Sequence, residues 1–207
     1  MLRGGAFEGH PYAVSTLVKV YTSEMERDEP GRYAGWVTEL AGLLRPGARV
    51  LDLGCGAGTA ATRQLTRRGL QVIGVDLSAV QLRRARRLVP AAGLVQADMV
   101  ALQFAAASLD AVVAFYALTH LPLADQRALI PRIGGWLRPA GLFLAIVGAQ
   151  PWTGNGGPAV SWDHAGTSSY LDWLEEAGFT PQWDRFIPEG QAGHSLILAR
   201  AARNEGL

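Results

Sequence analysis

Cysteine is nearly absent. The 207-residue chain has one, Cys55, so no internal disulfide can brace it. An excess of one charge is lacking too, with 19 Lys and Arg against 18 Asp and Glu and a net charge of +1. An obligatory nucleic-acid partner usually demands a pronounced basic surface, and this balance argues against one. No apolar run approaches the roughly 20 residues that a membrane helix needs; Leu142 to Val147 falls far short. The opening Met1-Leu2-Arg3-Gly4-Gly5 lacks the apolar core of a signal peptide. The expectation is a cytoplasmic protein without internal repeats or low-complexity tracts. Apolar residues, by contrast, make up 49% of the chain, enough for a full core.

The chain is organised around Val50-Leu51-Asp52-Leu53-Gly54-Cys55-Gly56-Ala57-Gly58. Apolar residues run into a glycine cluster and then into a helical pattern, which predicts a buried strand, a tight turn and a helix start. Bare backbone at such a turn lets a ligand approach closely. Cys55 reads as a small side chain in a tight place. Upstream, residues 11 to 45 carry two helical patterns broken at Asp28-Glu29-Pro30-Gly31. The first holds Tyr12, Leu17, Val20 and Tyr21; the second holds Tyr33, Trp36, Val37, Leu40 and Leu44.

Downstream, strands and helices alternate. Strands are predicted at Arg49 to Leu53, Gln71 to Val75, Leu94 to Gln96, Leu109 to Phe115 and Leu142 to Val147. Helices are predicted over 58–68, from a Ser78 cap to Val89, and over 123–137 despite Pro131. Residues 150–167, rich in glycine and tryptophan, read as a loop. A helix from Ser168 to Ala177 follows, then strands Pro181 to Ile187 and His194 to Ala201 as a hairpin. This alternation predicts an α/β fold, a doubly wound and mostly parallel sheet. A single domain over 1–207 is expected, with a helical cap (1–44), a ligand-binding core (45–148) and a loop, helix and terminal hairpin (149–207).

Three acids lie at or near the strand ends. Asp52 lies two residues before the first glycine and puts a carboxylate at the turn. Two like charges at about 4 Å cost roughly 1 to 4 kcal/mol. A pyrophosphate is therefore disfavoured there and a cationic nucleoside favoured; a dinucleotide fingerprint would also need glycine where Thr59 stands. Asp76, ending the second strand, suits two ribose hydroxyls. Asp98 suits an adenine amino group, with the Met99 thioether covering the ring.

With these residues in place, the chain resembles the class I S-adenosylmethionine-dependent methyltransferases, in a bacterial small-molecule branch. Val50 to Gly58 resembles the family's first motif and Gly74 to Ser78 its ribose motif. Gln96-Ala97-Asp98-Met99 is similar to its adenine-side motif, and Leu109 to Phe115 with His120-Leu121-Pro122 to its fourth strand and following helix. Leu137-Arg138-Pro139-Ala140-Gly141 looks like the turn before strand five, with Ala140 where the family has glycine. The resemblance implies a seven-stranded sheet with an antiparallel last strand. It implies S-adenosylmethionine as cofactor and S-adenosylhomocysteine as product. Asp52 would take the methionine ammonium, Gly54, Gly56 and Gly58 the carboxylate, and Asp76 and Gln81 the ribose. Asp98 and Met99 would hold adenine, with Cys55, Leu77, Phe115 and Tyr21 also at the cofactor.

That topology brings His120, His164, Glu189 and His194 to the ligand rim. Each histidine is a candidate to accept a proton from, or orient, an acceptor, against the alternative of a structural hydrogen bond. Tyr12, Tyr116, Trp152 and Trp162, with Glu189, are candidate acceptor residues. The aromatics are either packing or a box for a flat or cationic molecule. No metal site is expected. The implied reaction is methyl transfer to an O, N or C nucleophile of a small molecule, by a monomer or homodimer. An NAD-dependent oxidoreductase and a cofactor-binding protein without methyl transfer are the alternatives. Phe115-Tyr116-Ala117-Leu118 does not resemble the Asp/Asn-Pro-Pro-aromatic loop of base-amino methyltransferases.

Overall fold

The computed structural model describes residues 32–155, 161–188 and 193–202, with only the backbone of residues 32, 155, 161 and 162. The first helical pattern, with Tyr12 and Tyr21, lies outside the described residues, as does Glu189. The second pattern forms α1, Arg32–Gly42, burying Tyr33, Val37 and Leu40. Then come β1 (Arg49–Leu53), α2 (Thr62–Arg67), β2 (Gln71–Asp76), α3 (Ala79–Leu88) and β3 (Gly93–Gln96). β4 (Leu109–Phe115), α4 (Leu123–Trp136) and β5 (Leu137–Gly148) follow, and after them β6 (Trp152–Asn155) and β7 (Ser161–His164). α5 (Thr167–Glu176), β8 (Phe179–Ile187) and β9 (His194–Ala201) complete the described elements.

The main sheet has seven strands in the order β3-β2-β1-β4-β5-β9-β8. β1 to β5 pair in parallel; β9 runs antiparallel between β5 and β8. Solidly apolar β4 and β5 occupy the middle, as strands covered on both faces must. One face packs under Val37, Leu40 and Leu65 from α1 and α2. The other packs under Leu129, Ile130 and Ile133 of α4 and Tyr170 and Leu174 of α5. Strand order reverses between β1 and β4, and a crevice for ligand opens at the C-terminal ends of strands flanking such a reversal.

Three sequence expectations need correction. α2 begins at Thr62 rather than Gly58, because Gly58 has φ +76° and the turn continues through residue 61. Residues 150–167 are not one loop: β6 and β7 pair antiparallel, Trp152 opposite His164 and Thr153 opposite Asp163. Four-residue strands interrupted by glycine lack the alternation that marks longer ones. β5 also starts five residues earlier than expected, at Leu137, taking in the supposed turn.

Within it Ala140 keeps the left-handed backbone of the turn, at φ +62°. Its amide donates to Ala202 O at 3.3 Å, and its carbonyl accepts from Arg200 Nη1 at 3.1 Å, so neighbours impose the conformation. A left-handed L-residue costs roughly 1–2 kcal/mol, more than the entropy glycine forfeits on folding. Ala140→Gly is therefore expected to stabilise the protein by about 0.5–1 kcal/mol, read as a higher urea midpoint at unchanged slope.

Candidate active site

The glycine turn closes over β1 with Gly54, Gly56 and Gly58 at φ +68°, +54° and +76°. At Gly54 the need is steric as well as torsional: a Cβ would lie 2.5 Å from Ala117 Cβ and 3.8 Å from Met99 Cε. The turn thus touches both the segment after β4 and the residue expected to cover adenine. A Cβ on Gly56 would meet nothing within 4 Å, so open space lies over the middle of the turn. Cys55 packs where a Gly74 side chain would stand, Sγ being 2.9 Å from that position. Burial, then the charges of Asp52 and Asp76, push its thiol far above the usual range. It fills space and is no nucleophile.

Asp52 is 3% exposed and Thr62 fully buried. Thr62 donates to Asp52 Oδ2 through its amide (3.0 Å) and its hydroxyl (2.5 Å). Desolvation dominates nonetheless and pushes the carboxyl up to about 7, Thr62 pulling it down and Asp76 adding to the rise. Asp76 accepts from the Gly56 amide at 2.8 Å on Oδ2 and from the Ser78 amide at 2.8 Å on Oδ1. Its pKa is raised, burial outweighing the two amides. Ser78 caps α3 by accepting from the Gln81 amide at 3.3 Å. Gln81 is buried, and its Oε1 has no hydrogen-bond partner among the described residues. Asp98 is half-buried and caps a short 3₁₀ turn, Met99–Ala101, accepting from the Val100 amide at 3.0 Å. Leu77 is half-buried beside the turn, with its carbonyl accepting from Gln96 Nε2 at 3.1 Å. Phe115 is instead in the core, its ring stacked on Tyr33 at 5.7 Å.

On the acceptor side, Tyr116 directly follows β4, buried and at φ +58°, a conformation rare for a bulky residue and concentrated at functional sites. It meets His194 edge-on at 4.9 Å. His194 opens β9 opposite Gly148, and its ring lies 6.3 Å from His164, which stacks on Trp152 at 5.9 Å. His120, half-buried, ends the 3₁₀ turn Leu118–His120, which packs against β7. The structure therefore gathers His164 and His194 with Tyr116 and Trp152, and brings the turn that carries His120 against β7. Trp162 lies in β7, its side chain outside the described residues. Burial is the main cause holding the His164 imidazole below its usual range, so it is neutral at pH 7.

The sequence reading missed a buried polar network. Gln126, fully buried in α4, donates through Nε2 to Leu121 O (2.7 Å) and to Asp163 O, and its Oε1 accepts from the Tyr170 hydroxyl at 2.5 Å. Asp163 accepts from the Leu123 amide (3.2 Å) and the Thr153 hydroxyl (2.9 Å). The β6–β7 hairpin is thereby tied to α4 and α5. The available signal was a glutamine within an apolar helix stripe.

Comparison with known proteins assigns this arrangement. A family profile described as "Methyltransferase domain" matches residues 50–141. An uncharacterized methyltransferase of Mycobacterium tuberculosis is 33% identical over 150 residues, covering 71% of this chain and 73% of the relative. The chain belongs to the class I S-adenosylmethionine-dependent methyltransferases. Another relative is the carboxy-S-adenosyl-L-methionine synthase of Aliivibrio salmonicida, 32% identical over 141 residues. That match covers 62% of this chain, which spans 57% of the synthase's length. The 1,6-didemethyltoxoflavin-N1-methyltransferase of Burkholderia thailandensis, solved with its substrate and S-adenosylhomocysteine, shares the fold. Its TM-score is 0.71 at 23% identity, over 97% of this chain and 93% of that one. The methyltransferase cofactor is S-adenosylmethionine, and the residues present fit it. Gln81 Oε1 is a buried acceptor without a donor among the described residues, Gly56 faces open space, and Asp52 is a buried carboxylate that a cation would draw down from about 7.

Among the described residues no helix is long and apolar enough to cross a membrane.

Proposed function

We propose that this methyltransferase methylates an oxygen, nitrogen or carbon nucleophile of a small molecule. The observation that carries the reading is the ring-lined rim, Tyr116 to Trp152, next to a glycine turn flanked by buried Asp52 and half-buried Asp76. When bound, S-adenosylmethionine supplies a methyl carbon already activated by its sulfonium. Asp52 holds the methionine ammonium, and the amides of the glycine turn its carboxylate. Asp76 and Gln81 hold the ribose, with Asp98 and Met99 at the adenine and Leu77 and Cys55 lining the turn. The chain's main contribution is alignment of the nucleophile and exclusion of water.

His120 and His194, both half-buried on the rim, are the groups available to take a proton from an acceptor O–H or N–H. His164 orients rather than titrates, being wedged against Gly148. Replacing His120 or His194 by alanine is expected to lower kcat by about 10²-fold. Near-normal turnover in both variants would mean that alignment suffices. The deciding experiment is calorimetry with S-adenosylhomocysteine and NAD, followed by mass spectrometry of products across an acceptor panel. Tight binding of the former with a methylated product supports the reading; preference for NAD, or no product, overturns it.

The likeness to carboxy-S-adenosyl-L-methionine synthases supports a second reading, formation of that carboxylated nucleoside from S-adenosylmethionine and a carboxyl-donating organic acid, which the panel must therefore include. The same mass spectra separate the two, since one releases S-adenosylhomocysteine and the other a carboxylated cofactor.

A further inference from the structure

Methyl transfer as such requires no stacked rings, yet the hairpin builds a pair of them into the rim. Trp152 and His164 are cross-strand partners whose rings lie 5.9 Å apart at an interplanar angle of 26°. Each ring takes the space of a side chain that a neighbouring glycine lacks. A Cβ on Gly148 would fall within the His164 ring, and one on Gly154 would lie 2.7 Å from Trp152 Cζ2. Neither glycine is among the residues with positive φ, so the backbone does not demand glycine at either place; the rings do. The hairpin beneath them is fixed by Asp163 to the start of α4 and through Gln126 to Tyr170. Trp152 is nevertheless 44% exposed, a large apolar surface held rigid and left open.

The wall is continuous. His164 continues to His194 and Tyr116 by ring contacts of 6.3 and 4.9 Å, and the nearby Asp163 carboxylate is committed to the Leu123 amide and the Thr153 hydroxyl. A planar ring finds a stacking surface.

We infer that the acceptor bears a planar conjugated ring, which stacks on Trp152. The inference rests on the methyltransferase reading and narrows its acceptor. Stacking on an aromatic side chain changes affinity by about tenfold to a hundredfold.

The test is calorimetric titration of the S-adenosylhomocysteine-saturated protein with 1-naphthol, its saturated counterpart decahydro-1-naphthol, and choline. The wild type is expected to bind 1-naphthol at least about tenfold more tightly than either other probe. Trp152→Leu removes that preference and Trp152→Phe retains most of it, with S-adenosylhomocysteine affinity unchanged in both. Equal binding of the three probes, no binding of any, or a Trp152→Leu variant that keeps the preference overturns the inference while leaving the methyltransferase reading intact. Failure of the wild type to bind S-adenosylhomocysteine overturns that reading, and the inference with it.

Discussion

Gly54→Ala is expected to destabilise the protein by about 2–5 kcal/mol and to weaken S-adenosylhomocysteine binding. The torsional part is the left-handed backbone at φ +68°, roughly 1–2 kcal/mol for any residue with a Cβ. The steric part is the approach of that Cβ to 2.5 Å from Ala117 Cβ, with the Ala117 Cα only 3.5 Å away. Relief requires the backbone after β4 to move, and forced repacking of this kind costs about 1–3 kcal/mol. Gly69 provides the control. It sits at φ +77° with nothing within 4 Å of a Cβ, so Gly69→Ala isolates the torsional cost. Urea unfolding of both variants reads the difference. If Gly54→Ala is no worse than Gly69→Ala, the contact between the turn and Ala117 carries no energy.

Asp52→Asn is expected to abolish a pH dependence of cofactor binding that the wild type shows between about pH 5 and 7. Burial holds the Asp52 carboxyl at about 7 in the free protein, where it is mostly protonated below neutrality. A ligand ammonium favours the carboxylate, so the complex binds fewer protons than the free protein. Affinity for S-adenosylhomocysteine should therefore rise with pH, by up to about tenfold per unit, and level off above 7. Calorimetry in two buffers of different ionisation enthalpy would register the released proton. The folding equilibrium moves the other way. Between the unfolded carboxyl's 3.8 and the folded value of about 7, the native state holds the extra proton, so wild-type stability falls as pH rises through this window. The amide of the Asp52→Asn variant would keep the shape without the charge and remove both slopes. A wild-type affinity independent of pH would place the ammonium elsewhere.

Much of this was legible because it is local. The run from Val50 to Gly58 announced strand and turn by hydrophobicity and glycine alone, and Ser78 announced a helix start that its bond to the Gln81 amide bears out. The mostly parallel sheet with its antiparallel last strand followed from alternation and the resemblance together. What escaped depends on residues far apart in sequence. The bond of Asp52 to Thr62 exists because the turn folds the start of α2 back over β1, ten residues on. The β6–β7 hairpin is held by Gln126, which lies 37 residues before Asp163, and no local pattern at Trp152 or His164 encodes that contact. The stack of Phe115, which the resemblance puts at the cofactor, on Tyr33 of α1 is likewise a contact that no local pattern encodes.

The place of β9 also governs how this fold is made. β9 is the last strand of the sheet to be synthesised, yet it lies inside the sheet, joining β5 to β8. While it remains in the ribosome, β5 displays an unpaired, strongly apolar margin, a template for wrong pairing with another nascent chain. Productive folding is thus delayed until His194–Ala201 has emerged, and crowded translation of this message would tax chaperones more than a sheet whose strands join in chain order.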